Sequence, residues 1–144
     1  IMEIERKFLI KELPENLEAY PSHLIEQAYL CTKPVVRIRR QDDDYYMTYK
    51  GGGLMAREEY NLPLNKEAYE HLKTKADGRT ITKRRYNIPL GSYTIELDLF
   101  TCPEGLIMAE VEFPTKEEAL AFTPPEWFAQ DVTMDPRYHN SNMI

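Results

Sequence analysis

The sequence contains little that would place this 144-residue chain in a membrane, a disulfide-bonded scaffold or a nucleic-acid complex. Its two cysteines, Cys31 and Cys102, stand far apart without metal-binding spacing, which argues against a disulfide framework and favours the reducing cytoplasm. No apolar run is long enough for a transmembrane helix. The formal net charge is −6, whereas nucleic-acid-binding domains are usually basic. We therefore expect neither nucleic acid nor a membrane as a partner.

The chain does contain enough apolar residues for one core. Hydrophobic residues make up 42% of the sequence, and the length fits one domain spanning residues 1–144. Charged residues make up 29%, and they alternate with apolar residues in many short segments. A period of two residues is typical of β-strands that have two different faces.

Eight segments carry this alternation and are predicted to be strands. In the first, Ile4 and Phe8 alternate with charged residues, and Arg6 is the one charge on the apolar side. Polar turns such as Gln41–Asp44 and Gly91–Ser92 separate the segments, so we expect hairpins between antiparallel neighbours. The predicted strands lie at residues 2–8, 25–30, 36–39, 45–50, 57–62, 83–88, 95–99 and 109–113.

Predicted helices are few and short. Asn65 is a candidate N-cap for a helix that runs to about Ala76 and ends at Gly78. Thr115 and Glu118 form a capping box that opens a second helix. Further helical turns are expected at residues 14–20 and 126–130. The chain is therefore predicted to be mainly β (α+β), with a few helices packed outside the strands.

The polar faces of the predicted strands carry seven acidic and seven basic residues. The simplest interpretation of any one strand is a sheet face exposed to solvent. The whole set fits that interpretation poorly, because arginine suits bidentate contacts to phosphate and paired carboxylates suit hard divalent cations. The acidic residues are Glu3, Glu5, Glu59, Glu96, Asp98, Glu110 and Glu112, and the basic residues are Lys7, Arg37, Arg39, Lys50, Arg57, Lys83 and Arg85.

A closed eight-stranded antiparallel β-barrel would give these charges a common interior. Eight strands enclose space for side chains or one small ligand, and closure removes exposed strand edges. Paired like charges repel unless an ion of opposite sign lies between them, so the pattern indicates a ligand carrying both metal and several negative charges. The apolar faces would then point outward, where helices cover part of them and any uncovered part favours a homodimer.

The order of the motifs resembles that of the CYTH superfamily, the triphosphate tunnel metalloenzymes. The opening Glu3–Leu9 is similar to the Glu-x-Glu-x-Lys strand of that family, and Ile25–Leu30 is similar to its Gln-x-Tyr-Leu segment. The resemblance implies a closed tunnel of eight antiparallel strands with a charged interior. Further similarities follow in order along the chain at Val36–Arg39, Thr48–Gly51, Arg57–Pro63, Lys83–Tyr86, Glu96–Asp98, Ala109–Glu112, Val132–Asp135 and Tyr138.

The resemblance also implies roles for the inward-facing residues. Acids on the first and last strands would hold Mg²⁺ or Mn²⁺, and lysines and arginines of the wall would grip a triphosphate. Glu58 and Arg84, which stand beside motif residues, should face outward. The metal candidates are Glu3, Glu5, Glu96, Asp98, Glu110 and Glu112; the triphosphate candidates are Lys7, Arg37, Arg39, Lys50, Arg57, Lys83 and Arg85; the catalytic candidates are Glu5, Glu59, Lys83 and Asp98.

The expected activity is metal-dependent hydrolysis of a triphosphate, with inorganic tripolyphosphate as the preferred substrate. Three alternatives remain open: class IV adenylate cyclase activity on ATP, hydrolysis of thiamine triphosphate, and binding of polyphosphate or nucleotide without catalysis. A lipid-binding barrel with its charges outside is the structural alternative. The histidines His23, His71 and His139 share no ligand spacing and are expected at the surface.

Overall fold

The computed structural model describes residues 1–144, which form nine β-strands and two α-helices. None of the helical segments is long and apolar enough to cross a membrane. The strands are β1 (Met2–Ile10), β2 (Ser22–Thr32), β3 (Val35–Gln41), β4 (Asp44–Lys50), β5 (Ala56–Leu64), β6 (Asp77–Leu90), β7 (Tyr93–Cys102), β8 (Ile107–Glu112) and β9 (Phe128–Asp131). The helices are α1 (Lys66–Lys73) and α2 (Lys116–Ala121), and short 3₁₀ turns lie at Leu17–Ala19, Pro136–Tyr138 and Asn140–Asn142.

The first eight strands close into an antiparallel barrel, which confirms the predicted fold class. Their order around the wall is β5-β4-β3-β2-β6-β7-β8-β1, and β1 closes the wall by pairing with β5 through Met2–Ile4 and Ala56–Glu58. The extra strand, β9, runs along the second half of β1, where Ile10 pairs with Phe128. The helical turn predicted at residues 126–130 is therefore wrong, because this part of β1 offers the segment an unpaired strand edge.

Most of the hydrophobic core lies outside the barrel, between its wall and the helices. On one side, Phe8 and Leu97 are almost fully buried in a cluster that includes Ala119 of α2. On the other side, Ile38 of β3 packs in a cluster with Tyr69 of α1. The alternation of the strands requires this arrangement, because a face opposite to inward charges has to be covered from outside.

One end of the barrel interior is apolar rather than charged. Along the inward faces of β6, β7 and β8 the charges give way to Ile81, Phe100 and Met108, which belong to one buried cluster. Val132 and Met143 of the C-terminal segment complete this cluster. Side chains therefore fill this end of the barrel, and the charged residues occupy the remainder of the interior.

Both capped helices form, but α1 is shorter than predicted. The Asn65 side chain accepts a hydrogen bond from the Ala68 backbone (2.7 Å), as an N-cap should. The helix ends at Lys73, because the backbone of the next residues bonds three positions back, as the 2.9 Å bond from Lys75 to Leu72 shows. The predicted end of this helix, Gly78, already belongs to β6 and has a φ of +64°.

Arg6 is the one charge that the alternation puts on the apolar outer face of β1, and the structure explains its presence. Its Nη1 donates to the carbonyl oxygens of Ala119 (2.8 Å) and Phe122 (3.1 Å) at the C-terminal end of α2. Its Nη2 donates to Asp131 of β9 (2.8 Å), and the guanidinium lies 5.0 Å from the Phe8 ring. One arginine therefore fastens α2 and β9 to β1.

We expect Arg6→Leu to lower the free energy of unfolding by about 2–3 kcal/mol, because two carbonyl groups and Asp131 lose a charged donor. Urea denaturation measures the loss. Arg137→Leu is the control, since Arg137 pairs with Asp135 on an exposed turn and such pairs contribute about 1 kcal/mol or less. Equal losses in the two variants would contradict the fastening role of Arg6.

Glu26 on the outer face of β2 links the barrel to α1. Its Oε1 accepts hydrogen bonds from the Tyr69 hydroxyl (2.6 Å) and from Lys73 Nζ (2.7 Å). Burial works against the charged carboxylate, but the hydrogen bonds from Lys73 and Tyr69 lower the pKa of Glu26 below its usual value. Ionised Glu26 therefore stabilises the fold above its unfolded pKa, and this contribution is lost as the pH falls through the folded pKa.

We expect Glu26→Gln to lower the free energy of unfolding by about 1 kcal/mol at neutral pH and by progressively less once the pH falls below the ordinary pKa of a glutamate. Urea denaturation at a series of pH values measures the difference between the variant and the wild type. Glu70→Gln is the matched control, because Glu70 is exposed on α1, the helix that Glu26 contacts. A difference for Glu26→Gln that stays constant on acidification would overturn the ionic role.

Candidate active site

The barrel encloses a strongly polar cavity of about 170 Å³. Only 3 of its 20 lining residues are hydrophobic, so a ligand that fits it has to be polar. Glu58 and Arg84 are exposed on the outside, which confirms the predicted register. The structure brings all but one of the predicted site residues to the cavity: Glu3, Glu5, Lys7, Arg37, Arg39, Lys50, Arg57, Glu59, Lys83, Arg85, Glu96, Glu110 and Glu112.

Lys7 and Arg85 each pair with two or more carboxylates that line the same side of the barrel. Lys7 Nζ lies 3.1 Å from Glu5 and also bonds to Glu110, and Arg85 lies 3.0 Å from both Glu96 and Glu110. The register makes these pairs possible, since Glu110 of β8 faces Lys7 on one side and Glu96 on the other. Burial works against the charged form of Glu110, but Lys7 and Arg85 hold its pKa well below the usual range.

Asp98 is the predicted site residue that does not line the cavity. It is 1% exposed, and its carboxylate accepts hydrogen bonds of 2.7 and 2.9 Å from Arg85 and lies 2.9 Å from Lys83 Nζ. In this structure Asp98 therefore pairs with two cations of the wall, Lys83 and Arg85, on the side that faces away from the cavity. Burial, and after it the charge of Arg85, lowers the pKa of Lys83 to about 8, although Asp98 opposes the shift.

Glu112 lies among other carboxylates near the end of β8. Burial comes first, and the negative charges of Glu3, Glu96, Glu5 and Glu59 add to it, so that the pKa of Glu112 rises to about 7. Like charges that raise a pKa in this way repel each other as long as they are ionised. A bound cation at this place would relieve the repulsion.

The donor chemistry of this part of the cavity fits a hard divalent cation. No group of three or more His, Cys, Asp or Glu side chains is arranged here to hold a metal ion. The donors are nevertheless carboxylate oxygens, which Mg²⁺ and Mn²⁺ prefer, and they include the mutually repelling set around Glu112. Lys50 Nζ, 2.8 Å from Glu3 and 3.4 Å from Glu59, supplies part of the compensating positive charge.

Two arginines of β3 carry positive charge that no bonded carboxylate balances. Arg37 is 8% exposed, and its Nε is the one buried side-chain nitrogen or oxygen without a hydrogen-bond partner. Burial works against its charge, but Tyr29 and the more distant carboxylates of Glu3 and Glu59 raise its pKa. Arg39 bonds to neutral groups, namely Gln27 Oε1 and the Tyr46 hydroxyl (3.0 Å), and burial together with the charges of Arg37 and Arg85 lowers its pKa. Buried guanidinium groups without anionic partners fit the oxygens of a phosphate.

The structure adds cavity residues that the sequence analysis did not single out. Tyr29 lines the cavity from β2, and the alternation of that predicted strand could have identified it. His139, Asn140 and Ser141 reach the cavity from the C-terminal segment, for which the sequence shows no periodic signal. The expected surface position is wrong for His139, which is 5% exposed; its Nε2 donates to the Thr133 carbonyl (3.1 Å), and burial lowers its pKa.

Fold and cavity together define a closed antiparallel β-barrel with an ionic interior, and comparison with known proteins identifies its family. Residues 2–132 match the CYTH domain model. The chain is 39% identical to an inorganic triphosphatase of Nitrosomonas europaea, with 96% of this chain and 93% of the relative covered. It is 37% identical to an inorganic triphosphatase of Acetivibrio thermocellus, with 99% and 92% covered. The chain belongs to the CYTH family.

Solved structures agree with this assignment. The crystal structure of the inorganic triphosphatase NE1496 superposes with a TM-score of 0.73 at 34% identity and covers 99% of this chain and 94% of its own. The PH1012 protein of Pyrococcus horikoshii superposes with a TM-score of 0.64 at 22% identity over 83% of this chain and 84% of its own. The second likeness shows a shared fold alone.

We expect Arg37→Met and Lys7→Met to differ in their effects on stability. Arg37→Met removes a buried charge that forms no ion pair and should change the melting temperature much less than Lys7→Met does. Lys7→Met leaves Glu5 and Glu110 without their cation and should cost about 3–5 kcal/mol. Thermal and urea unfolding measure both effects. Equal destabilisation by the two variants would contradict the division of the interior into balanced and unbalanced cations.

Proposed function

We propose that this protein is a metal-dependent triphosphatase whose substrate is inorganic tripolyphosphate. The observation that carries the proposal is the pair Arg37 and Arg39, two buried guanidinium groups without carboxylate partners in a closed cavity. The inorganic triphosphatases at 37–39% identity over nearly the whole chain support it. The polar lining supports a substrate made only of phosphates, because it offers an adenine or thiamine ring almost no apolar surface.

The basic residues of the wall bind the substrate in this proposal. Arg37 and Arg39 donate to phosphate oxygens and remain charged while negative charge shifts to the leaving phosphate. Lys83 and Arg85 also bind phosphate oxygens, and the buried carboxylate of Asp98 pairs with both side chains and keeps them in position. Pre-positioned charges of this kind stabilise the transition state without reorganising during the reaction.

The acidic residues hold the cation and orient water in this proposal. When bound, Mg²⁺ or Mn²⁺ would supply positive charge to the phosphate oxygens and would lower the pKa of a water molecule that it coordinates. Glu59 accepts a hydrogen bond from the attacking water, and its carboxylate is kept in position by Asn61 (3.2 Å) and Lys50 (3.4 Å). The residues that would hold the cation are Glu3, Glu5, Glu96, Glu110 and Glu112, with Asp98 turned toward Lys83 and Arg85 in this structure.

Phosphate release from tripolyphosphate, ATP and thiamine triphosphate, each with and without Mg²⁺ or Mn²⁺, tests the proposal. We expect metal-dependent release that is fastest with tripolyphosphate. Glu5→Gln should lower kcat by about 100-fold, because a charged group of the site is lost. Arg39→Ala should raise KM by about tenfold, because the free energy of one charged hydrogen bond corresponds to about a tenfold change in affinity.

Glu58→Gln and Arg84→Ala are the controls, because both residues are exposed on the outside of the barrel, on β5 and β6. Each should retain wild-type activity. Formation of cyclic AMP from ATP, or faster turnover of thiamine triphosphate than of tripolyphosphate, would assign the cavity to a different reaction. Tight binding of tripolyphosphate without turnover in the presence of metal would mean that the protein binds polyphosphate without catalysing its hydrolysis.

We further propose a cytoplasmic location and a homodimer. The free thiols of Cys31 and Cys102 support the reducing compartment. The exposed side chains of Tyr49, Tyr60 and Leu62 on the outer face of β4 and β5 support the dimer, because no helix covers them. Sedimentation analysis of the purified chain distinguishes a dimer from a monomer.

A further inference from the structure

Two amide side chains join two cations of the cavity wall. Asn140 Oδ1 accepts hydrogen bonds from Lys83 Nζ and from Gln27 Nε2, both at 3.1 Å. Gln27 Oε1 in turn accepts from Arg39 Nε (3.0 Å) and from Arg39 Nη2. Gln27 is fully buried and Asn140 is 8% exposed. The result is one continuous chain of hydrogen bonds that runs from Lys83 through Asn140 and Gln27 to Arg39.

The chemistry of the two ends fixes the orientation of both amides. Lysine and arginine can only donate, so the atom that Asn140 presents to Lys83 and the atom that Gln27 presents to Arg39 are both oxygens. Asn140 uses the same oxygen toward Gln27, which leaves the Gln27 amino group as the donor between them. No other assignment of oxygen and nitrogen satisfies all four side chains, so the amides form a single ordered unit.

The amides position Arg39 without cancelling its charge. Lys7 and Arg85 bond to carboxylates, whereas Arg39 bonds to Gln27 and to the Tyr46 hydroxyl, which are neutral. Burial and neighbouring arginines lower the pKa of Arg39, which indicates a region of excess positive potential around it. A carboxylate in place of Asn140 could accept the same two hydrogen bonds, and one in place of Gln27 could still accept from Arg39, but either would neutralise this potential.

The position of Asn140 depends on the docking of the C-terminal segment. The Met143 side chain is buried in the apolar cluster at the closed end of the barrel, and its carbonyl accepts a hydrogen bond from Arg79 (2.7 Å). Ile144 packs against Gly78, where an added Cβ would come within 2.9 Å of it. These contacts place Asn140 at the cavity, more than fifty residues along the chain from Lys83.

We propose that Gln27 and Asn140 are positioning residues for the phosphate site, which hold Arg39 and Lys83 in a fixed geometry and leave the positive charge of Arg39 free for the substrate. This inference rests on the proposed function, because it assigns the amides to the binding of tripolyphosphate. It predicts that neutrality of the two side chains matters as much as their hydrogen bonds.

The test replaces each amide by the carboxylate of the same shape, as Asn140→Asp and Gln27→Glu. Both variants keep the oxygen that faces the cation. Asn140→Asp keeps both hydrogen bonds that Asn140 accepts and should melt close to the wild type, whereas Gln27→Glu loses the amino donor to Asn140 and should melt at a lower temperature. Calorimetric titration with tripolyphosphate in the absence of metal should show affinity lowered by about tenfold or more, because a negative charge now lies beside the phosphate site. Steady-state kinetics should show the same change mainly in KM.

Asn142→Asp is the control, because it adds the same charge to the same segment at an exposed position and loses only a surface hydrogen bond to the Pro136 carbonyl (2.8 Å). It should bind tripolyphosphate as the wild type does. Asn140→Ala separates geometry from charge: it removes the acceptor without adding a charge, and affinity should still fall because Lys83 and Gln27 lose their common partner.

Wild-type affinity in both Asn140→Asp and Gln27→Glu would overturn the inference, since it would mean that charge at these positions does not act on the site. If both variants fail to fold, Asn140→Ala decides instead: wild-type affinity in that variant would overturn the positioning role. A wild-type protein that neither binds nor hydrolyses tripolyphosphate is a different outcome. It would refute the proposed function itself, and the role of the amides in substrate binding would be refuted with it.

Discussion

Every charge inside this barrel has to be balanced within the same closed space, because a low-dielectric interior penalises an ion without a partner. The strands satisfy most of this requirement by pairing across the wall, as Lys7 does with Glu110 and Arg85 with Asp98. Arg37 and Arg39 are exceptions on the same strand. Because these two guanidinium groups form no ion pair, the proposed phosphate site is assigned to them, while the paired cations hold the strands of the wall together.

The ionic interior also determines where the hydrophobic core lies. Because alternate residues of each strand point inward, the apolar residues between them are forced to the outside, where they need α1, α2 and β9 as a cover. Arg6 shows how strongly this cover is organised, since a single guanidinium on the apolar face satisfies two carbonyl groups of α2 and one carboxylate of β9. The charged lining of the cavity and most of the hydrophobic core thus occupy opposite faces of the same strands.

The C-terminal segment belongs to both systems. Met143 contributes to the apolar cluster that fills one end of the barrel, and Asn140, three residues earlier, contributes to the polar network of the cavity. The neutral amides Asn140 and Gln27 differ from the carboxylate partners of the buried cations, because they fix position without removing charge. In the proposed function, carboxylate partners reduce the repulsion among the buried cations, and neutral amide partners leave positive charge available to a polyanion.

The sequence by itself determined which face of each strand is charged, because a period of two residues leaves no other choice, and the ordered motifs determined the family. It could not determine how far along the barrel each charge lies or which partner it meets, since these follow from strand register and closure. Asp98 is an example: the alternation predicts that its side chain points inward and lines the cavity. In the structure it points inward but is covered by Lys83 and Arg85, with which it pairs. For the same reason His139 and Asn140, which lie in a segment without periodicity, joined the site only when the chain end packed against the barrel.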